Sequence, residues 1–462
     1  MKALGFGVGA TAAAGVALPA FQDIDDMITS TPQKQHPWWV KERDHNNITT
    51  QIDWDIFKSF DMATGWSGSS YSANPIVPPN FDVRDTLRAQ QTARRAAERP
   101  GFTYRDRALF EAYAASTSSV FAAALSPVGT APVYTDRKWQ GTPEENFQTV
   151  QAALHWMGTD HVGALELNDK TKRLYNNTYT FNAADGEATA TNLPKNATSV
   201  ISYASRQDYP MGKLSLIQSE QKASDGKFKS GHVTDLGFSA MYRAYANSYI
   251  LEYHVNRFIS ALGWFVHRHH FWDSPNVPYG IFAGLGEQGR PAYLMSPTYG
   301  LLTRYTCSTL TDMPIAPQKP IDFGGTKFCE TCRRCAESCP SGAMGDENYK
   351  ETSFEPAHNG LRSGFKGWRI DYKKCKGAGA PIDCGSCQFL CPFNHPNEAL
   401  MHPVVRMTAA TTSLFNGFFG SMDRYVYKDA NSDKTLEEWW NRDLKSYRGD
   451  TITSAGTYKW NF

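Results

Sequence analysis

Cysteine residues dominate one stretch of this 462-residue chain. Eight of the nine lie between residues 329 and 391, in the runs FCETCRRCAESCP at 328–340 and CGSCQFLCP at 384–392, with Cys375 between them. Disulfides of a large chain would join distant loops, whereas gaps of two and three residues indicate a metal site. Three cysteines at two-residue gaps, followed by a fourth before proline, are typical of [4Fe–4S] clusters in bacterial ferredoxins.

The spacing also predicts which cysteines share a cluster. In a ferredoxin run the fourth cysteine binds the other cluster, and Cys375 supplies the ligand that the shorter second run lacks. The predicted ligands are Cys329, Cys332, Cys335 and Cys391 for the first cluster and Cys339, Cys375, Cys384 and Cys387 for the second. Structural zinc is the alternative, but zinc sites normally combine two CxxC pairs across a longer loop.

Two further motifs carry weaker signals. GLGEQG at 284–289 has the dinucleotide-binding spacing and follows an apolar IFA, but Pro291 disfavours a long helix there. The group HRHH places His267, His269 and His270 together; neighbours in a strand point to alternate faces, so at most two could share a metal. Pocket lining or surface is the favoured interpretation of these histidines.

Composition and the N-terminus restrict the partners and the location. Lys plus Arg number 47 against 46 Asp plus Glu, so no basic surplus predicts nucleic acid binding. The apolar, Gly- and Ala-rich run after Lys2 is typical of an export signal, with a buried N-terminal helix as the alternative. For a twin-arginine signal, the charged head would be missing from this sequence.

Helix and strand patterns alternate upstream of the cysteines and predict an α+β fold. Thr142 and Glu145 form a capping box before a helix, HVGALEL reads as a strand, and 236–266 has a long apolar helical face that ends at Gly263 before a strand-like WFV. The predicted units are a signal remnant at 1–21, an N-terminal wrapping unit at 22–140, a core at 141–312 with an insertion at about 170–232, a two-cluster domain at 313–398 and a C-terminal extension at 399–462.

The segments around the cysteines resemble the catalytic subunits of respiratory reductive dehalogenases. The similarity is carried by LTDMPIAPQKPIDFGGTKFCETCRRCAESCPSGAM and CGSCQFLCPF, and it extends through GTDHVGALEL, AGLGEQGR and PTYGLLTRY. IDWDIF and KWQGTPEENF resemble the subgroup that acts on chlorinated ethenes. The resemblance covers most of the chain and is strongest from about 280 to 395.

The resemblance implies a nitroreductase-like α/β core that binds a corrinoid base-off, beside a ferredoxin-like domain with two [4Fe–4S] clusters and wrapping extensions at both ends. It implies Tyr245 as proton donor and Arg304 as the cation that stabilises its anion. The positions expected to contact the corrinoid are Gly284, Leu285, Gly286, Pro297 and Thr298. One departure is Phe271, which stands where some members carry an asparagine in the pocket; that contact is either absent here or replaced by His269 or His270.

The expected activity is reduction of a small organohalide, a chlorinated ethene or a chlorinated aromatic, as the terminal step of respiration. The family further implies export by the twin-arginine route to the outer face of the cytoplasmic membrane, a small integral membrane anchor protein and an upstream electron donor, and it leaves a homodimer open. The alternatives are a corrinoid enzyme of the epoxyqueuosine reductase kind and an electron-transfer subunit without its own catalysis. Neither explains the signal-like start together with Tyr245 and Arg304.

Overall fold

A four-stranded antiparallel sheet organises the part of the chain upstream of the cysteines. Its strand order is β3 (Val162–Glu166), β4 (Ser199–Arg206), β10 (Thr303–Thr311) and β7 (Val266–Arg268). The central strand β4 reads SVISYASR and is buried along nearly its whole length, as expected of a β-branched and aromatic segment covered on both faces.

The computed structural model describes residues 36–59, 81–114, 136–175, 193–222, 228–268, 276–340, 342–344, 354, 362–370, 375, 384–395, 401–427 and 430–442. By compactness the chain divides into Met1–Trp38 and Trp39–Phe462. The signal remnant predicted at 1–21 lies outside the described residues.

Helices surround this sheet and continue through the cysteine region. They are α1 (Phe81–Ala96), α2 (Tyr104–Ala114), α3 (Pro143–Trp156), α4 (Tyr209–Lys213), α5 (Asp235–Ala261), α6 (Asn276–Phe282), α7 (Gly325–Cys332), α8 (Arg334–Glu337), α9 (Ser386–Phe389), α10 (Met401–Thr411), α11 (Asn416–Val426) and α12 (Asp433–Glu438), with 3-10 turns at Thr171–Leu174 and Pro392–Asn394. None of the helices in the described ranges is long and apolar enough to cross a membrane.

Short strand pairs tie distant segments together. The strands are β1 (Lys41–Glu42), β2 (Gln51–Ile52), β5 (Leu216–Lys222), β6 (Phe228–Val233), β8 (Glu287–Gln288), β9 (Leu294–Met295), β11 (Ile321–Asp322) and β12 (Phe365–Lys366). Strand β1 pairs with β11 and β2 pairs with β12, so the segment after Trp39 contacts both flanks of the first cysteine run.

Helix α5 and helix α3 pack against the sheet and form the largest core. The capping box predicted at the start of α3 is present, since the Thr142 side chain accepts from Glu145 and the Glu145 carboxylate accepts from Thr142; such a cap stabilises a helix by about 1 kcal/mol. The core includes Val150, Leu154, Val162, Ile201, Tyr203, Leu251, Val255 and Ile259.

Two predicted boundaries are wrong. The insertion predicted at about 170–232 cannot include residues 199–206, because β4 pairs with β3 on one side and with β10 on the other. The Asn-, Thr- and Ala-rich composition just before β4 hid this buried strand. The strand predicted at WFV begins only at Val266, since Trp264 packs into the core.

Candidate functional site

Four cysteine side chains line one small cavity. They are Cys329, Cys332, Cys335 and Cys391, the first predicted ligand set. Apolar side chains and arginines complete the lining, among them Phe328, Phe393, Leu301 and Arg290. No three His, Cys, Asp or Glu side chains within the described ranges converge on a single-ion site. The cavity supplies four thiols, which is the number of ligands that one [4Fe–4S] cluster takes.

The backbone conformation of the first cysteine run, residues 328–340, directs three of its thiols toward this cavity. Cys329 and Cys332 lie three residues apart on the helix Gly325–Cys332, so they share one face. Arg333 then adopts the left-handed region at φ 55° and ends that helix. The next short helix begins at once and carries Cys335. The break turns the chain so that a third thiol reaches the same cavity.

The thiols of this cavity are deeply desolvated. Burial raises the pKa of Cys329 to about 12 and raises the pKa of Cys335 and Cys391 well above the usual range. The charges of Cys329 and Cys332 raise the pKa of Cys391 further, which places Cys391 beside the first run. Such thiols ionise when a metal coordinates them. The donor set therefore fits an iron–sulfur cluster.

The second predicted set is brought together in part. Cys339 is buried against Ala336, Met344 and Ile370, and Cys375 and Cys387 pack against the same group. Cys335 also touches this group, so the two cysteine sets adjoin. The Sγ of Cys384, the fourth member of this set, lies 3.0 Å from the Ser386 hydroxyl.

Cys384 packs against an apolar cluster that also holds Tyr245. The cluster consists of Phe110, Phe238 and Met241, and both Cys384 and Tyr245 lie against it half-buried. Phe110 comes from the helix Tyr104–Ala114 and the other two from the helix Asp235–Ala261. A predicted cluster ligand and the predicted proton donor thus share one apolar wall.

Tyr245 lies in the middle of the long helix Asp235–Ala261. The Thr234 side chain begins this helix by accepting from the Gly237 N–H at 3.0 Å. One turn before Tyr245, the ring of Tyr242 makes an edge contact with it at 6.2 Å between centroids. Tyr242 also contacts the Phe110 ring at 5.1 Å. Two tyrosines therefore stand side by side here, and sequence reasoning identified only one.

Arg304 lies in strand β10, at a point where the strand pairing is irregular. Thr303 pairs with Arg206 and Tyr305 with Ser205, so the register shifts between the two pairs. A bulge of this kind bends a strand and re-aims side chains, and it is frequent next to active sites. The side chain of Arg304 lies outside the described part of the molecule, so its pairing with Tyr245 stays a prediction.

Thr298 belongs to a hydrogen-bonded group that the sequence did not predict. The Ser296 hydroxyl lies 2.5 Å from His161 Nε2, and the Thr298 hydroxyl lies 3.2 Å from Ser296 Oγ. Asp160 contacts His161 Nδ1 at 3.3 Å and accepts from the Tyr299 hydroxyl. Burial opposes ionisation of Asp160, but the bonds from His161 and Tyr299 outweigh it and lower the pKa of Asp160. The sequence signal that could have indicated this group is the adjacent pair Asp160 and His161, which comes directly before the buried strand β3.

The glycines of GLGEQG let the chain pass close to itself. A Cβ on Gly284, whose φ is +81°, would stand 2.4 Å from the Lys319 carbonyl oxygen, and one on Gly286 would stand 2.2 Å from that of Met295. Leu285 is buried in an apolar group with Leu294. The close approach expected of these glycines is thus made to the protein's own backbone, and corrinoid contact here stays a prediction.

His267 lies in strand β7 opposite Leu310. Burial lowers the pKa of His267, which fits a neutral side chain in the wall of the sheet better than a surface cation. His269, His270 and Phe271 lie outside the described residues.

Residues 328–394 match the family model of the 4Fe-4S double cluster binding domain. The chain is 28% identical to the trichloroethene reductive dehalogenase of Dehalococcoides mccartyi over 95% of both chains. It is 34% identical to the tetrachloroethene reductive dehalogenase of Sulfurospirillum multivorans over 37% of this chain and 33% of that protein. A solved reductive dehalogenase, described with a mechanism for B12-dependent dehalogenation, matches 87% of this chain with a TM-score of 0.57 at 16% identity. The chain spans about half of that solved protein, 50%.

The sheet, the surrounding helices and the thiol-lined cavity define an α+β protein with a double [4Fe–4S] cluster domain, as predicted. The relatives that align along nearly the whole chain are named reductive dehalogenases, and together with the double cluster domain they support an oxidoreductase that acts on carbon–halogen bonds.

Proposed function

We propose that this protein replaces halogen by hydrogen on a small organohalide, with chlorinated ethenes as the substrate class. The support for the substrate is the name of the relative that aligns along nearly the whole chain, a trichloroethene reductive dehalogenase. The observation that carries the proposal is the apolar wall shared by Tyr245 and Cys384. With the proposed roles, this apolar cluster would have a proton donor and an electron-transfer ligand against it, and reductive dehalogenation needs both.

The proposed site also includes a corrinoid, bound base-off in a nitroreductase-like core, which supplies the low-valent metal centre when present. The residues present fit such a group. Both side-chain polar atoms of Gln207 are buried without a hydrogen-bond partner among the described residues, and the Gln207 N–H donates to the Leu302 carbonyl at 2.8 Å. A buried donor and acceptor suit the amide side chains of a corrinoid. The corrinoid would be held by Gln207, Pro297 and Thr298. The loop residues Gly284, Leu285 and Gly286 would lie behind these three.

Tyr245 donates the proton in this proposal. Its hydroxyl is the acid, and Arg304, on the irregular part of strand β10, stabilises the phenolate that remains. Phe110, Phe238 and Met241 keep water from the wall beside Tyr245. Exclusion of water strengthens the interaction between a phenolate and a nearby cation.

Electrons would pass from the first cysteine set to the second. Cys335 touches the group around Cys339, which links the two sets, and Cys384 of the second set lies against the wall that holds Tyr245. In this proposal the second cluster is the one that passes electrons on toward Tyr245. In a respiratory role the first cluster would take electrons from an upstream donor, and a small integral membrane protein would anchor the exported enzyme at the outer face of the cytoplasmic membrane.

The experiment is anaerobic purification followed by metal analysis and assay. The proposal predicts about eight irons per chain from two clusters and about one cobalt, with chloride release from trichloroethene under a low-potential reductant. A protein with eight irons but no cobalt and no chloride release would instead favour an electron-transfer subunit without its own catalysis. Activity on epoxyqueuosine-containing RNA, with none on chlorinated ethenes, would favour the other corrinoid enzyme.

A further inference from the structure

The turn at residues 296–300 carries Thr298, the one hydroxyl among the proposed corrinoid contacts. Two backbone hydrogen bonds close the base of the turn, from the Ser296 N–H to the Gly300 carbonyl at 2.8 Å and from the Gly300 N–H to the Ser296 carbonyl at 3.0 Å. Four of its five residues are buried, and Thr298 is the exception with intermediate exposure. The turn is thus held in shape, and Thr298 is the member that a bound group can reach.

The contacts of the Ser296 hydroxyl determine where its proton goes. The backbone N–H groups of Thr298 and Tyr299 donate to Ser296 Oγ at 3.2 Å each, and together they occupy the two lone pairs of this oxygen. The hydroxyl proton must therefore be given to an acceptor, and His161 Nε2 lies 2.5 Å away. Because Nε2 accepts this proton, it carries none of its own.

The opposite side of the His161 ring meets this requirement. Nδ1 lies 3.3 Å from Asp160 Oδ1, and the Tyr299 hydroxyl donates to the same oxygen. A carboxylate that faces Nδ1 holds the imidazole proton on that nitrogen. The Tyr299 ring also stacks on the His161 ring, with 4.3 Å between centroids and 19° between planes. Asp160 thus sets the tautomer of His161, and the stacked ring of Tyr299 sets its orientation.

Gln207, which lies beside this turn, supplies a second observation. Its N–H donates to the carbonyl of Leu302, two residues after the turn, at 2.8 Å, and the guanidinium of the neighbouring Arg206 lies 4.9 Å from the centroid of the Tyr299 ring. Gln207 is 0% exposed, and both polar atoms of its side chain are without a hydrogen-bond partner among the described residues. A buried amide needs such partners, and a ligand at the turn would supply them.

We propose that His161 and Asp160 are positioning residues for the corrinoid, because they direct the Ser296 proton away from Thr298 and leave the Thr298 hydroxyl as a donor to the corrinoid. Thr298 Oγ1 lies 3.2 Å from Ser296 Oγ and 3.4 Å from His161 Nε2, and both of these atoms already accept other protons. An amide carbonyl of the corrinoid is the acceptor that fits. A donor that is oriented before binding loses less freedom when the ligand binds. The inference rests on the corrinoid site of the proposed function.

The test measures the dissociation constant of cob(II)alamin for the iron-loaded enzyme prepared without corrinoid, by anoxic equilibrium dialysis and cobalt analysis. His161→Phe keeps a ring against Tyr299 but removes both nitrogens, and Thr298→Val removes the hydroxyl. Each should bind cob(II)alamin about tenfold more weakly, as expected for the loss of one hydrogen bond, with the iron content unchanged. His161→Gln, whose amide oxygen can accept from Ser296, should retain the wild-type affinity.

The double variant separates positioning from a merely structural role. If His161 acts through the Thr298 hydroxyl, His161→Phe combined with Thr298→Val should bind no more weakly than Thr298→Val alone. Additive losses would overturn the proposal, and so would wild-type affinity in either single variant or a loss in His161→Gln. If His161→Phe assembled no iron, Asp160→Ala, at a side chain that is 43% exposed, would take its place in the same comparison. A wild-type enzyme that bound no cob(II)alamin would instead refute the corrinoid site of the proposed function.

Discussion

Tyr245 and Cys384 both pack against one apolar cluster, which is formed by the buried side chains of Phe110, Phe238 and Met241. The two residues are far apart in sequence and come from different parts of the fold. The shared cluster places the proposed proton donor and a proposed ligand of the second iron–sulfur cluster in one region of the fold. With these proposed roles, proton and electron delivery would meet there, as a two-electron, one-proton replacement of halogen requires.

The cavity assignment predicts the effect of replacing Cys391. Cys391→Ser should lower the iron content by about half and remove one of two EPR signals, because the first cluster loses the single ligand that the second run contributes. The control is Cys307→Ser, since Cys307 belongs to neither predicted set. Full iron content in Cys391→Ser would contradict the assignment.

The buried ion pair between Arg334 and Asp423 predicts a stability effect. Their side chains are 2% and 6% exposed, and Asp423 Oδ1 also lies 2.5 Å from His395 Nε2. Asp423→Asn leaves the Arg334 charge uncompensated beside the cysteines and should lower the free energy of unfolding by about 3–5 kcal/mol. Anoxic urea unfolding measures this change.

The matched control for Asp423→Asn is Asp433→Asn. Asp433 pairs with Arg99 at 2.8 Å, but both side chains are about half exposed, 51% and 46%. Loss of an exposed pair should change stability by less than about 1 kcal/mol. Equal changes in the free energy of unfolding of the two variants would contradict a larger contribution from the buried pair.

Glu287 predicts a pH dependence of stability. Burial and the nearby Asp322 raise the pKa of Glu287 above its ordinary value of 4.5. Above that value the folded protein holds a proton that the unfolded chain has released. The stability that Glu287 contributes is therefore full below about pH 4.5 and falls as the pH rises through the raised folded pKa.

The measurement for Glu287 is the apparent unfolding temperature at a fixed scan rate, from pH 5 to pH 8. Relative to Glu287→Gln, the wild type should lose stability as the pH rises. A difference between the two proteins that stayed constant, or that grew in favour of the wild type, would contradict the raised pKa.

Local patterns in the sequence predicted the elements whose contacts are local. The capping box of Thr142 and Glu145 and the thiol spacing at 329–335 depend on neighbours within a few residues, and the structure has both the helix start and the shared cavity. Strand β4 was missed because its burial comes from two partner strands, one of which follows about a hundred residues later. Periodicity within a segment carries no information on such partners.

The same limit applies to the site. GLGEQGR has the spacing of a ligand-binding loop, but Glu287 and Arg290 point to the cysteine helix, and only the fold brings that helix between them. Tyr242 could not be separated from Tyr245 by pattern, since both lie on one face of the helix Asp235–Ala261. The group around His161 depends on a contact between residues 161 and 296 that the sequence does not encode locally.

The most direct test of the central claim compares Tyr245→Phe with Tyr242→Phe. The two tyrosines lie side by side on one helix with their rings 6.2 Å apart, so the variants perturb the same region and remove one hydroxyl each. With iron and cobalt content matched to the wild type, chloride release from trichloroethene should fall by at least about 100-fold in Tyr245→Phe, as expected when a general acid is lost. It should stay close to the wild-type rate in Tyr242→Phe. Full activity of Tyr245→Phe, or an equal loss in both variants, would contradict the assignment of Tyr245 as the proton donor.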